Sequence, residues 1–338
     1  MRSTVLVTGG AGYIGSHTVI QLLKSGYEVV ILDNLSNSSV KVIDRINEIS
    51  NRQVVFLEGD IQDEKPLSEI FTDHKIDSVF HFAGLKSVSE SEQEPEKYEL
   101  NNVVGSSILI NIMLKYKIYK FVFSSSATVY GDPGYAKCNE NTPLGPQSFY
   151  GKTKLRVEEI IKETASTNPE FRFAILRYFN PIGAHASGKI GEDPIGTPNN
   201  LFPYIAQVAV GKREKVNIWG NDYPTPDGTG RRDYIHVEDL AAGHISALNA
   251  LESGVDSFTV NLGTGNSYSV LEAIAAFSEV SGKSIPYEFR PRRPGDVAEN
   301  YADVSLANEI LGWTTKFDLA RMCQDSWRWQ SQNPDGYR

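Results

Sequence analysis

The chain has 338 residues, 40% hydrophobic and 22% charged. That is ample apolar material for a core and excludes disorder as the main state. Lys+Arg 33 against Asp+Glu 42 leave a formal net charge of −9. No global positive field is present to attract nucleic acid, so an anionic ligand must be held by a few placed groups. Two cysteines, Cys138 and Cys323, are too few for a disulfide framework or a structural zinc site. The start MRSTVLVTGG lacks the basic-then-apolar pattern of a secretory signal, and no apolar run approaches the ~20 residues that span a bilayer. These features point to a cytoplasmic protein with neither membrane nor nucleic acid as partner.

In chain order, the hydrophobic pattern predicts a strand at Thr4–Thr8, a helix over 14–25 and a strand at Glu28–Leu32. A helix over 40–49, a strand at Gln53–Leu57, a helix over 66–73 and a strand at Ser78–Phe82 follow. Beyond them come a helix over 96–116, a strand at Lys120–Ser124, a helix over 147–165 and a strand at Arg172–Tyr178. The strand runs lack in/out alternation, as strands buried on both faces do. Their alternation with helices implies an α/β protein with a doubly wound parallel (Rossmann) sheet. After Asn180 the texture turns rich in Gly, Pro, Asn and Asp, with a helix near 201–211. A helix over 237–251 and a strand at Ser257–Leu262 return to the sheet, and helices near 269–281 and 318–330 flank the loop RPRRPGD. The predicted division is a dinucleotide-binding domain of 1–180 plus about 236–264, and a smaller C-terminal α/β substrate domain of 181–235 plus about 265–338.

Directly after the first strand stands TGGAGYIG, with Gly9, Gly12 and Gly15 spaced G-x-x-G-x-x-G. The first permits a tight turn, the second a close approach of pyrophosphate, and the third packing of the helix, whose N-terminal amides face the anion. Asp33 ends the second strand, where a carboxylate accepts both ribose hydroxyls of an adenosine and repels a 2′-phosphate. The expected cofactor is therefore NAD rather than NADP. Asp60, in LEGDIQD, is a candidate adenine contact, or equally a helix cap.

The fifth strand runs into SSSATVYG, which puts Ser124 to Ser126 at its carboxyl end, where open α/β sheets build their sites. Tyr150 and Lys154, in YGKTK, are four apart and share a helical face. A free phenol has a pKa of ~10. The ammonium, with the positive nicotinamide, is expected to lower it so that the phenol relays a proton while Ser126 holds the reacting hydroxyl.

Taken together, TGGAGYIG, the serine strand end and YGKTK resemble an extended short-chain dehydrogenase/reductase. FAGLKSVSES, FSSSATVYGD, LRYFNPIGAH, GTPNNLFPYIAQVAVG, DGTGRRDYIHVEDLA and PRRPGD resemble, more narrowly, the UDP-glucose 4-epimerase family, across essentially the whole chain. The resemblance implies that NAD is held and recycled. Tyr150 would take the C4 hydroxyl proton as hydride leaves C4, and a 4-keto sugar would turn over before hydride returns. It implies catalytic roles for Ser126, Tyr150 and Lys154. For NAD it implies contacts from the loop (Gly9, Gly12, Tyr13, Ile14, Gly15), from Asp33, Asn34, Asp60 and Ile61, and from Phe82, Ala83, Gly84, Lys86 and Asn101. Ser124, Tyr150, Lys154, Tyr178 and Phe179 complete that set. For the UDP-sugar it implies Lys86, Ser126, Tyr150, Asn180, Asn200 and Leu201, with Trp219 beside the uracil, Arg232 and Arg293 on the diphosphate, and Asp296 on the uridine ribose. Trp219 reads equally well as a core residue.

Related 4,6-dehydratases carry Thr-Asp-Glu where this chain has Ser126-Ala127-Thr128, so the acids that drive loss of water are missing. The family often places a tyrosine where this chain has Asn300, followed by Tyr301. The smaller residue is expected to admit UDP-GlcNAc/UDP-GalNAc alongside UDP-glucose/UDP-galactose, unless Tyr301 refills the space. An epimerase acting mainly on UDP-N-acetylhexosamines, an oxidoreductase releasing NADH and a non-catalytic nucleotide-sugar or NAD sensor are the alternatives. The resemblance also implies a homodimer through the helices near 96–116 and 147–165. The six histidines form no metal-binding motif in sequence, so no metal is expected.

Overall fold

The structure, a computed structural model, describes residues 3–134, 136–293 and 295–337. Seven strands form one parallel sheet: β1 Thr4–Thr8, β2 Glu28–Asp33, β3 Val55–Glu58, β4 Ser78–His81, β5 Lys120–Ser126, β6 Arg172–Tyr178 and β7 Phe258–Leu262. Their order is β7-β6-β5-β4-β1-β2-β3. The direction of strand addition reverses between β1 and β4, which places a crevice at the carboxyl ends of these two neighbours.

Helices cover both faces, α1 Tyr13–Lys24, α2 Lys41–Ser50, α3 Glu64–Asp73, α4 Gly105–Lys115, α5 Phe149–Thr167 and α7 Val237–Glu252, while α6 Leu201–Ala209, α8 Val270–Ser281 and α9 Leu319–Gln332 lie away from this sheet. Val5, Val7, Val29 and Ile31 turn toward α1 and α7, whereas Leu6, Val30, Leu32, Phe121 and Phe123 turn toward α4 and α5. Both faces are dry, and this is why the strands read as continuous apolar runs without alternation. Each main-sheet strand agrees with its sequence expectation to within two residues; β5 runs on to include Ser125 and Ser126.

One predicted helix departs from expectation. The stretch over 96–116 is three pieces: a short α-helix at Pro95–Tyr98, a π-helical stretch at Glu99–Val104, and α4. Periodicity near 3.6 does not distinguish a π insertion from a continuous helix, and such insertions gather at functional sites. Here it carries Asn101 and Asn102. The Asn102 amide donates to the Leu85 carbonyl and Thr153, tying the loop after β4 to α5.

The Gly- and Pro-rich region supplies short strands instead of loop alone. Asn180–Ile182 pairs with Tyr234–His236, and Val216–Trp219 with Tyr287–Arg290. A four-stranded sheet joins Tyr268–Ser269, Arg231–Arg232, Glu299–Ala302 and Lys137–Cys138. A second core packs α6, α8 and α9 through Phe202, Ile205, Phe277 and Met322. Among the described residues no helix is long and apolar enough to cross a membrane.

Candidate active site

Gly9 adopts φ 72°, and a Cβ built there meets the Ala83 amide nitrogen at 2.5 Å. At Gly15 it would meet the Gly9 carbonyl oxygen at 2.3 Å. The turn thus packs backbone on backbone against the end of β4. Gly12 caps α1 without any side-chain hydrogen bond, and its missing Cβ would touch only the Gly9 oxygen, at 3.2 Å. The first amides of α1 are therefore open to an anion, as a dinucleotide pyrophosphate requires. Tyr13 and Ile14 form the first turn, and the Tyr13 hydroxyl donates to the Gly183 carbonyl at 2.7 Å.

Asp33 is buried at the end of β2. One carboxylate oxygen accepts from the Ala11 amide at 3.0 Å; the other accepts from the Leu35 amide at 3.0 Å and the Ser38 hydroxyl at 2.8 Å. Three of a carboxylate's roughly four acceptor positions are filled. The expectation that Asp33 takes both ribose hydroxyls is modified accordingly: one position is open, and a second hydroxyl would displace Ser38. Asn34 donates to Asp60 at 2.7 Å. That Asp60 oxygen pair also accepts from the Gln62 amide at 2.9 Å, while Ile61 is buried beneath. Phe82 and Ala83 both donate their amides to the Thr8 carbonyl, and Gly84 follows with Asn102 beneath it. The Asn101 carboxamide oxygen is buried with no partner. An orphaned acceptor, an uncapped helix start and a buried carboxylate suit a polyhydroxylated dinucleotide such as NAD.

At the end of β5, Ser126 Oγ accepts from the Thr128 amide at 3.2 Å and the Thr128 hydroxyl at 2.9 Å, leaving its own proton to donate. The Ser148 hydroxyl caps α5 through the Gly151 amide, and Ser91 accepts the Tyr150 amide at 3.0 Å, which fixes the first turn. One turn on, Lys154 is buried. Its ammonium donates to the Ser124 carbonyl at 2.7 Å and lies 4.9 Å from the Phe123 ring centroid and 6.0 Å from that of Tyr150. The Tyr178 hydroxyl contacts His244, and Phe179 is buried beside it.

The expected lowering of the Tyr150 pKa does not arise from the protein. Burial pushes the phenol up to about 12, with the Ser126 hydrogen bond pulling the other way. Burial also lowers Lys154 to about 8, opposed by the negative charge of Glu158. For each group desolvation outweighs the opposing influence, the Ser126 hydrogen bond on Tyr150 and the Glu158 charge on Lys154. At neutral pH the lysine is still a cation, and activation of the phenol has to come in part from the ligand.

On the other side of the crevice, Asn200 stands at the N-cap position of α6 without a side-chain capping bond, and Leu201 opens the helix. Asn200 and Lys86 both donate to Glu192 Oε1, each at 3.1 Å, so one carboxylate joins the loop after β4 to this region. Asn180 is exposed, its amide bonded to the Asp233 carbonyl. Trp219 is 38% exposed, with the Arg293 guanidinium 4.7 Å from its ring, so it is no core residue. Arg232 donates to the Val297 carbonyl at 2.9 Å and faces Asp296 at 3.5 Å. Asn300 pairs with Arg232 across two parallel strands. Its amide points to Cys138 Sγ at 3.9 Å, and the strand pleat turns Tyr301 to the opposite face. Tyr301 therefore does not refill the space beside Asn300.

The fold brings together groups that spacing did not. His236, Glu238 and Asp325 present ligand atoms within 4.8 Å of one another. Arg321 and Arg328 already hold both oxygens of Asp325, so this carboxylate is neutralised by guanidiniums. Sequence reading also passed over Glu158, Arg177 and Glu192. No local pattern marks a charge that is buried by distant strands.

Residues 6–326 match the family model described as GDP-mannose 4,6 dehydratase. The chain is 54% identical over 334 residues to the UDP-glucose 4-epimerase of Bacillus subtilis (strain 168), covering 99% of this chain and 98% of that protein. It superposes with a TM-score of 0.95, at 47% identity, on the UDP-glucose 4-epimerase of Bifidobacterium longum solved with NAD+ and UDP, covering 99% and 100% of the two chains. The UDP-Glc/GlcNAc 4-epimerase of Campylobacter jejuni superposes with a TM-score of 0.86 at 40% identity, covering 98% and 100%.

Proposed function

We infer the working of this protein from one premise: the chain belongs to the UDP-glucose 4-epimerase family. It is an NAD-dependent enzyme that inverts C4 of a UDP-hexose. The observation that carries the residue-level reading is the meeting of Ser126, Tyr150 and Lys154 at the carboxyl end of β5, beside the uncapped start of α1.

Bound NAD supplies a reversible hydride acceptor for C4, together with a positive charge that favours the phenolate. Ser126 holds the C4 hydroxyl by donating its own proton, since Thr128 already fills its acceptor positions. Tyr150 takes its proton and later returns it, and Lys154 steadies the phenolate. The glycine loop, Asp33, Asp60 and Asn101 orient the dinucleotide. Arg232 and Arg293 clamp the diphosphate by charge-assisted hydrogen bonds, Trp219 flanks the base, and Asp296 accepts from the ribose. In this reading residues 1–180 plus about 236–264 carry the coenzyme, the remainder carries the nucleotide-sugar, and the enzyme is cytoplasmic. It works as a homodimer; Leu100 and Val104 are exposed apolar side chains on the segment near 96–116 assigned to the contact. Light scattering at micromolar concentration is expected to give a dimer, and a monomer counts against that assembly.

The substrate range extends to UDP-GlcNAc and UDP-GalNAc. Asn300 sets a side chain shorter than tyrosine in register with Arg232, and Tyr301 faces away. Incubation with UDP-galactose and no added cofactor is expected to yield UDP-glucose. Stoichiometric NADH release would mark a net oxidoreductase, and binding without turnover a sensor. UDP-GalNAc is expected to turn over in the same assay, and Asn300→Tyr to lower its kcat/KM at least ~10-fold while sparing UDP-galactose. Absence of acetamido turnover in the native protein ends the wider range.

A further inference from the structure

Behind the serine end of β5 lies an ion pair that the mechanism above does not use. Glu158 and Arg177 have side chains 0% and 2% exposed. Arg177 grips the carboxylate twice, Nε to Oε1 at 3.0 Å and Nη2 to Oε2 at 2.6 Å. Its remaining nitrogen donates to the Tyr130 hydroxyl at 3.1 Å, which donates to Asn261 at 2.6 Å. Taking two charges out of water costs several kcal/mol per ion. Apolar residues of the same volume often serve stability as well or better, so stability alone is a poor reason for this pair.

Its neighbours suggest another. Glu158 lies one turn beyond Lys154 on α5, and its Oε1 accepts from the Ser125 hydroxyl at 2.6 Å. Lys154 itself donates to the carbonyl of Ser124. Helix α5 thus holds β5 at two consecutive residues, immediately before Ser126. Lys154 is otherwise faced by uncharged groups: the Phe123 ring and Ser124 carbonyl of β5, and Tyr150 of α5. His81 of β4 is hydrogen-bonded at both ring nitrogens and held neutral by burial, which brings its pKa to about 3. Arg177 is engaged by Glu158, and Lys162 reaches the outer carboxylate oxygen at 3.5 Å.

We propose that Glu158, oriented by Arg177, is a positioning residue for the reacting pair: its carboxylate pins the serine tip of β5 through Ser125, next to the carbonyl that receives the Lys154 ammonium. The inference rests on the assignment of Lys154 made above. Burial already lowers Lys154 to about 8. Loss of the neighbouring negative charge lowers it further, so the cation is lost at a lower pH.

The test is the pH profile of kcat with UDP-galactose on NAD-loaded enzyme. Glu158→Gln is expected to move the alkaline limb down by about half a pH unit or more and to lower kcat at neutral pH about fivefold. The double variant Glu158→Gln/Arg177→Met leaves no lone buried guanidinium and carries the test if the single variant does not fold; a smaller limb shift in the same direction is expected, with kcat still lowered. Ser125→Ala keeps both charges. It is expected to lower kcat about threefold with the limb unmoved, and an unchanged kcat overturns the pinning. A folded, NAD-loaded double variant with the parental limb and kcat overturns the proposal as a whole. Lys154→Met in the same assay separates the two readings: retained turnover there refutes the assignment of Lys154, not the role of Glu158.

Discussion

Tyr150→Phe is expected to lower the rate of C4 inversion by about 10²–10⁴-fold while fold and bound NAD stay as they are. The substitution removes one oxygen and keeps the ring beside Lys154, so packing at the start of α5 changes little. What disappears is the group that moves the C4 proton. Burial holds this phenol at about 12 in the protein, far from the value an efficient base needs at neutral pH. The enzyme therefore depends on the phenolate being favoured only in the loaded site. The measurement is conversion of UDP-galactose at saturating substrate, with NAD content read from absorbance after denaturation and fold from circular dichroism. An undiminished rate in a folded, NAD-containing variant would remove the phenol from the mechanism.

Gly9→Ala has the second large expected effect, on coenzyme retention and stability together. At φ 72° an alanine pays about 1–2 kcal/mol for the left-handed backbone. Its Cβ would also sit 2.5 Å from the Ala83 nitrogen and 2.8 Å from the Phe82 carbonyl carbon. Those backbone atoms cannot yield easily, because the Phe82 and Ala83 amides are both bonded to the Thr8 carbonyl. Adding an overpacking cost of about 1–3 kcal/mol, the variant should lose about 2–5 kcal/mol of stability and purify with little NAD. Gly12→Ala is the contrasting case. Its new Cβ meets only the Gly9 oxygen, at 3.2 Å, so the fold should tolerate it. The methyl would nevertheless stand at the open start of α1, where the pyrophosphate approaches. Thermal melts and NAD content of the two variants give the comparison. A Gly9→Ala protein with full NAD and an unshifted Tm would show that the turn has no need of glycine.

Much of this site is written in short stretches of chain. Strand β1, the loop with Gly9, Gly12 and Gly15, and helix α1 are contiguous, and their chemistry follows from local rules of turn, strand and helix. Tyr150 and Lys154 share a face because an α-helix brings residues four apart into register. Asp33 ends β2 where the apolar run ends. Such features are determined by neighbours in sequence, and the amino-acid order alone locates them.

Other properties depend on which distant segments meet. The π-helical stretch at Glu99–Val104 carries Asn102, bonded to the distant Leu85 and Thr153, and no periodicity announces it. Strand Lys137–Cys138 pairs with Glu299–Ala302, which brings Cys138 under Asn300 from far along the chain. Glu158 and Arg177 look like ordinary surface charges in their own segments; α5 and β6 close over them only once the sheet is assembled. The protonation of Tyr150 and Lys154 belongs to the same class. The pairing of a phenol with an ammonium is legible in YGKTK, but the energy of removing both from water is set by everything packed around them. Spacing along a chain encodes proximity on one element, whereas burial is a property of the whole fold.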